Sequence, residues 1–290
     1  MVRREFLGAW LAAPLLAAHR IDRSRFSALT DEVGTTQPEA LAFVKQYGLR
    51  WVELRGIPGT KISYVERPPA ELRELARQLA GEGLRVSHLD AALLKFPLPG
   101  TIPLGARKDG AKPFARRMED LRRAMDAART LGADKIRIFA FSRVAEPEKV
   151  WPRVAEIFAQ MGEAAGRERM HLLIENEASC NVATTAELGK FLKLVPSKWV
   201  RINWDPHNGL PFEKRPFPDG YALLPKKRIA NVHIKARSLM GPTTFDWKAI
   251  FAALARDGYR GCIGLETHVR ERLVESAHAS IREMIRIVEG

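Results

Sequence analysis

From residue 19 onward, short apolar runs alternate with longer segments of helical periodicity, the pattern that parallel βα units make. Strands are predicted at residues 26–30, 49–54, 84–89, 135–141, 170–174, 200–204, 229–234 and 262–265. Helices are predicted between and after them at 38–47, 69–80, 114–131, 148–167, 185–194, 245–257 and 274–288. Gly48 closes the first helix, since glycine enters the left-handed region without a Cβ penalty. The segment after strand six is irregular and rich in proline, so one of the eight helices is weak. Strict alternation of this kind predicts an α/β protein, a (β/α)8 TIM barrel, with 19–290 as a single domain. An open doubly wound sheet would favour a glycine-rich phosphate loop after strand one, and Leu29-Thr30-Asp31-Glu32-Val33-Gly34 offers none.

The first 18 residues follow a different rule. Arg3-Arg4-Glu5-Phe6-Leu7 leads into an apolar, alanine-rich run ending at Ala18, the layout of a secretory signal and too short for a stable membrane span. Paired arginines before Phe-Leu resemble a bacterial twin-arginine signal. Residues 1–18 are therefore expected to be a leader, and the barrel an exported, periplasmic protein.

Composition changes this picture little. With 46% hydrophobic and 28% charged residues, 290 residues can bury a sizeable core. The net charge of +13 invites a nucleic-acid reading. Yet arginines in segments such as 71–77 and 116–129 are interleaved with acids, as on solvated helix faces. Cys180 and Cys262 are too few for a disulfide scaffold or a cysteine zinc site; Cys262 reads as a small core residue, and one long-range disulfide stays open.

The chemistry lies where strands end, because barrel active sites form at their C-terminal ends. Strand five ends Ile174-Glu175-Asn176-Glu177 and strand six Asn203-Trp204-Asp205-Pro206-His207-Asn208. Strand seven ends Val232-His233-Ile234-Lys235 and strand eight Gly264-Leu265-Glu266-Thr267-His268. Four consecutive strands thus bring Glu175, Asp205, His233 and Glu266 to one rim. Three carboxylates so close repel one another unless a cation sits among them. An oxygen-rich set with one imidazole suits a single divalent metal ion, Mn²⁺ first and otherwise Mg²⁺, Co²⁺ or Zn²⁺.

At these four motifs the chain resembles the xylose-isomerase-like barrel superfamily, in particular its sugar phosphate isomerase/epimerase branch. The resemblance implies that Glu175, Asp205, His233 and Glu266 hold the metal and that Glu175 and Glu266 also move the proton. The implied reaction is proton transfer next to a carbonyl, through an enediolate that the metal stabilises. His207 is a candidate for a substrate oxygen, although similar ketose epimerases carry their helper histidine three positions after the aspartate and here it comes after two. Lys235 shares a strand face with His233 and is a second substrate-binding candidate. Glu53 and His88, closing strands two and three, are two more. Asp246 reads as a helix N-cap, and the long segments 91–113 and 206–219 as specificity loops.

The expected partner is a small carbohydrate, with nucleic acid disfavoured. Three alternatives stay in play: a lyase or hydrolase acting on an oxidised sugar or glycoside, an apurinic-site endonuclease, and a non-catalytic sugar-binding barrel. The endonuclease would need further histidines for a three-zinc cluster, and of the positions concerned only His88 fits.

Overall fold

The computed structural model describes residues 20–105, 110–241 and 245–290; the expected leader lies outside the described residues. The strands are β1 (Phe26–Leu29), β2 (Trp51–Leu54), β3 (Arg85–Leu93), β4 (Lys135–Ile138), β5 (His171–Glu175), β6 (Val200–Trp204), β7 (Ile229–Ile234) and β8 (Cys262–Leu265). Each pairs in parallel with the next, and β1 pairs with β8, so the sheet closes on itself. The helices are α1 (Gln37–Gln46), α2 (Pro69–Gly81), α3 (Ala111–Ala115), α4 (Arg117–Thr130), α5 (Pro147–Arg167), α6 (Thr185–Phe191), α7 (Tyr221–Leu223), α8 (Ala236–Met240), α9 (Trp247–Arg256) and α10 (Leu273–Glu289). This is the predicted (β/α)8 barrel.

Differences from the expected elements are local. β3 runs on to Leu93, while β4 stops at Ile138 because the register between them shifts after Leu89. The helix expected at 114–131 starts earlier and is divided at Arg116. The weak helix after β6 is the single turn α7, preceded by an irregular turn at Pro216–Gly220. Local chemistry fixes several starts. Thr184 and Glu187 form a reciprocal capping box on α6. Asp246 accepts the Ala249 N–H at 2.9 Å, capping α9 as predicted. Cys180 and Cys262 are both free thiols, so the disulfide left open by the sequence is not formed.

The strands divide their residues by parity. Val52, Leu54, Ile136, Leu172, Ile202 and Val232 belong to the hydrophobic core packed under the helices. The alternate residues are polar: Glu53, Arg137, Glu175, Asn203, Asn231 and His233 are each at most 5% exposed. They bond across the barrel, since His233 on β7 reaches Glu53 on β2, a strand it does not neighbour. The lumen is therefore largely a polar network, with Leu29 and Leu173 beside it, and most of the hydrophobic core lies outside the sheet.

Gly264 on β8 makes room for that network. A Cβ there would sit 2.1 Å from Glu53 Oε1, so an alanine must push the carboxylate aside. Gly264→Ala should cost roughly 1–3 kcal/mol, the usual range for overpacking a filled interior. A denaturant unfolding curve checks this; an unchanged midpoint would show that Glu53 can move freely.

Candidate metal centre in the barrel lumen

Glu175 ends β5, Asp205 follows β6, His233 lies near the end of β7 and Glu266 follows β8. One ligand atom from each lies within 4.8 Å of the other three, and all four residues are buried. The register staggers them along tilted strands: Glu175 is level with Asn203 and His233 with Gly264, so Asp205 and Glu266 each reach the centre from two residues further along their strands.

Each group is held from a defined side. Glu175 Oε2 accepts from Arg137 Nη1 and from Asn203 Nδ2, both at 3.0 Å, and its Oε1 accepts from Asn208 Nδ2 at 3.0 Å. Asp205 Oδ1 accepts the backbone N–H groups of His207 (2.8 Å) and Asn208 (3.0 Å), an Asx turn that locks the carboxylate. His233 Nε2 pairs with Glu53 Oε2 at 2.8 Å, which leaves Nδ1 facing Glu175 (3.8 Å) and Glu266 (3.7 Å). Glu53 is itself fixed by Ser27 Oγ at 2.6 Å. Glu266 Oε1 accepts from Arg55 Nη1 at 2.7 Å, and its Oε2 accepts from Lys235 Nζ at 2.8 Å. The same ammonium also donates to Asp205 Oδ2.

The charges push the two glutamates apart. Burial raises the Glu175 carboxyl, and Arg137 and His233 only partly offset it. Burial acts the same way on Glu266, but Lys235, His268, His233 and Arg55 outweigh it and hold that carboxyl well below the usual range. His233 would be lowered by burial, yet the carboxylates of Glu53, Glu175 and Glu266 raise it to about 10. Burial likewise disfavours charge on Lys235, and Asp205 and Glu266 hold it protonated.

This arrangement could hold a divalent ion through Glu175, Asp205, His233 and Glu266. The donor set is hard oxygen plus one imidazole, and Glu53 behind His233 is the carboxylate–histidine support found at metal sites. The cradle draws a cation already: the Lys235 ammonium lies on two of the four donors. A metal on these donors would share the Asp205 and Glu266 carboxylates with this ammonium or move it aside.

The remaining predicted residues fall at different depths. Lys235 is 5% exposed and tied to the acids as described. Glu53 and His88 are both fully buried beneath the centre. His88 Nε2 lies 3.2 Å from Asp90 Oδ1. His207 is half-buried at the rim, with its Nδ1 lacking a hydrogen-bond partner. A cavity of about 470 Å³ opens beside the centre, its walls including Arg55, Lys61, Asp90, Arg137 and Arg270. Arg55, Asp90, Arg137, Asn203, Asn208 and Asn231 were missed from sequence. Their signal was present for the strand residues: an arginine or asparagine in the middle of an otherwise apolar strand has to be paired inside.

Residues 41–288 match the model of the xylose isomerase-like TIM barrel family. The chain belongs to this family. Among solved structures it is similar to the IolI protein with a bound zinc atom, at 15% identity and a TM-score of 0.71, covering 91% of this chain and 96% of that one. It is also similar to L-ribulose 3-epimerase, at 21% identity and a TM-score of 0.67, covering 92% and 96%. D-psicose 3-epimerase from Clostridium cellulolyticum H10 matches at 14% identity and a TM-score of 0.69, covering 91% and 99%. No curated protein sequence matches the chain.

Two variants test the electrostatics of the centre. Arg137→Met strands Asp90 and Glu175, the acids its Nη1 faces at 3.0 Å, and should cost about 3–5 kcal/mol on unfolding, as removal of one partner from a buried pair does. His233→Ala should lose stoichiometric metal when the protein is purified natively and its metal content is measured. Retention of a full equivalent by that variant would show the centre to be misassigned.

Proposed function

We propose that this protein is a divalent-metal-dependent sugar isomerase or epimerase that transfers a proton at a carbon next to a carbonyl. The observation that carries the reading is the disposition of Glu175 and Glu266. Their carboxylates flank His233 Nδ1 at 3.8 and 3.7 Å, each anchored by its own arginine, Arg137 or Arg55. Membership of the family and the epimerase neighbours favour the same chemistry.

When bound, the metal, Mn²⁺ by preference, supplies Lewis-acid polarisation of the substrate carbonyl. Glu175 takes the proton from carbon, its own carboxyl being the one that burial disposes to carry a proton. Glu266 rests ionised, so it first takes up a proton from solvent as Lys235 moves off it, and then delivers that proton to the other face for epimerisation, or to the neighbouring carbon for isomerisation. Both carboxyls then reset by exchange with solvent. Arg137 and Arg55 keep the two carboxylates in place, and Asn208 fixes the second oxygen of Glu175. Lys235, freed from Asp205, and His207 at the rim are placed to bind substrate oxygens. The substrate is a small carbohydrate. The leader at residues 1–18 adds the proposal that the enzyme is exported to the periplasm through the twin-arginine route.

Incubation with Mn²⁺ and a panel of ketoses and keto-sugars in D2O tests the reading. Solvent deuterium should appear at the carbon next to the carbonyl. Glu175→Gln should lower that incorporation by 10²-fold or more, a typical order for loss of a general base. Binding without incorporation would overturn the catalytic reading in favour of a sugar-binding barrel, and nicking of abasic DNA would overturn it in favour of a nuclease.

A further inference from the structure

The N-terminal end of the barrel carries a second polar cavity, opposite the metal centre. Its volume is about 420 Å³, and the first residues of several strands line it, among them Trp51, Lys135, His171 and Cys262. A regularity of the sequence meets the topology here. Arg85, Lys135 and His171 are the first residues of β3, β4 and β5, and Arg25, Arg50 and Arg228 immediately precede β1, β2 and β7. Because the sheet is closed, those positions form one ring.

Six bases line the cavity itself: Arg25, Lys135, Arg201, Lys226, Lys227 and Arg260. Only Asp134 and Asp257 oppose them, and both acids are engaged. Asp134 pairs with Lys135, while Asp257 accepts the Tyr221 hydroxyl at 2.8 Å and pairs with Arg256. Among the described residues, Arg25, Arg201 and Arg260 have no carboxylate within ion-pair distance. Backbone carbonyls position two of these guanidinium groups without neutralising them. Arg25 donates to the Arg260 carbonyl, and Arg201 Nη2 donates to the Lys227 carbonyl at 3.1 Å. His171 Nδ1 is buried at this wall with no hydrogen-bond partner. The positive field is felt next door: after burial, Arg201 is the largest influence lowering both His171 and Arg228.

We propose that this cavity is a binding site for a small multivalent oxyanion of the phosphate class. Guanidinium groups present paired N–H donors that match phosphate oxygens, and preset guanidiniums without acid partners lose little on binding. A single charge would leave several of the bases uncompensated, so a multivalent anion fits the set better than chloride. The walled volume suits a phosphate or a diphosphate group. The site is independent of the metal centre and does not rest on the reaction proposed above.

Calorimetric titration of the full chain with inorganic phosphate and with pyrophosphate, at ionic strength held constant with NaCl, tests the proposal. Saturable binding of one equivalent is expected, tighter for pyrophosphate. An Arg201→Gln/Arg260→Gln variant should bind at least 10-fold more weakly. An Arg116→Gln/Arg123→Gln variant, with the same loss of charge on the exposed face around α4, should bind as the wild type does. In the unmodified protein, pyrophosphate should also protect Lys135 and Lys227 from acetylation, a readout that needs no variant to fold. Absence of saturable heat, equal weakening in both double variants, or unprotected lysines would each overturn the site and leave a merely solvated basic face.

Discussion

Charge cannot be buried alone, and this constraint organises the barrel. Glu53, Asp90, Glu175, Asp205 and Glu266 lie in the lumen or at its mouth, each at most 3% exposed. Ionised carboxylates in such surroundings persist only when cations and hydrogen bonds replace the water they have lost. Arg55, Arg137, Lys235 and His233 supply the charge, and Ser27, Asn203, Asn208 and Asn231 supply hydrogen bonds. Such a network adds little net stability, since desolvation offsets most of the attraction. What it supplies is position. Removing any one member exposes the others to an unpaired charge, so the geometry at the centre is held by many mutual dependences.

The same constraint bears on the metal. The expectation from sequence was that three carboxylates converging on one rim need an ion between them. The structure shows that protein cations already compensate them, with the Lys235 ammonium on Asp205 and Glu266. A divalent ion would therefore share these carboxylates with the ammonium or move it aside. Glu53 favours the ion, because its bond to His233 Nε2 turns Nδ1 toward the acids.

The eight strands, their order and the four converging residues were legible in the sequence, three strands to the residue. That legibility has a physical basis. Parallel strands covered by helices must be apolar on the covered side, and in such barrels the residues that follow strand ends carry chemistry. The lumen was less legible. Glu53 and His88 close their predicted strands and are fully buried, and how deep each side chain sits depends on barrel tilt and register, which one-dimensional spacing does not contain. Arg55 and Asn208 went unread for a related reason: they act from loops, and only the closed barrel brings them beside Glu266 and Glu175. The strand-start bases were visible one by one, but their meaning as a ring appears only when β1 meets β8.

We propose that the four strand-end residues form one metal cradle, from which a divalent ion moves the Lys235 ammonium aside. Anomalous diffraction from crystals grown with Mn²⁺ tests it most directly. A single strong peak is expected among Glu175, Asp205, His233 and Glu266, within about 2.0–2.5 Å of their ligand atoms, with the Lys235 ammonium moved off Asp205. No peak there, with Lys235 still bonded to Asp205 and Glu266, would contradict it.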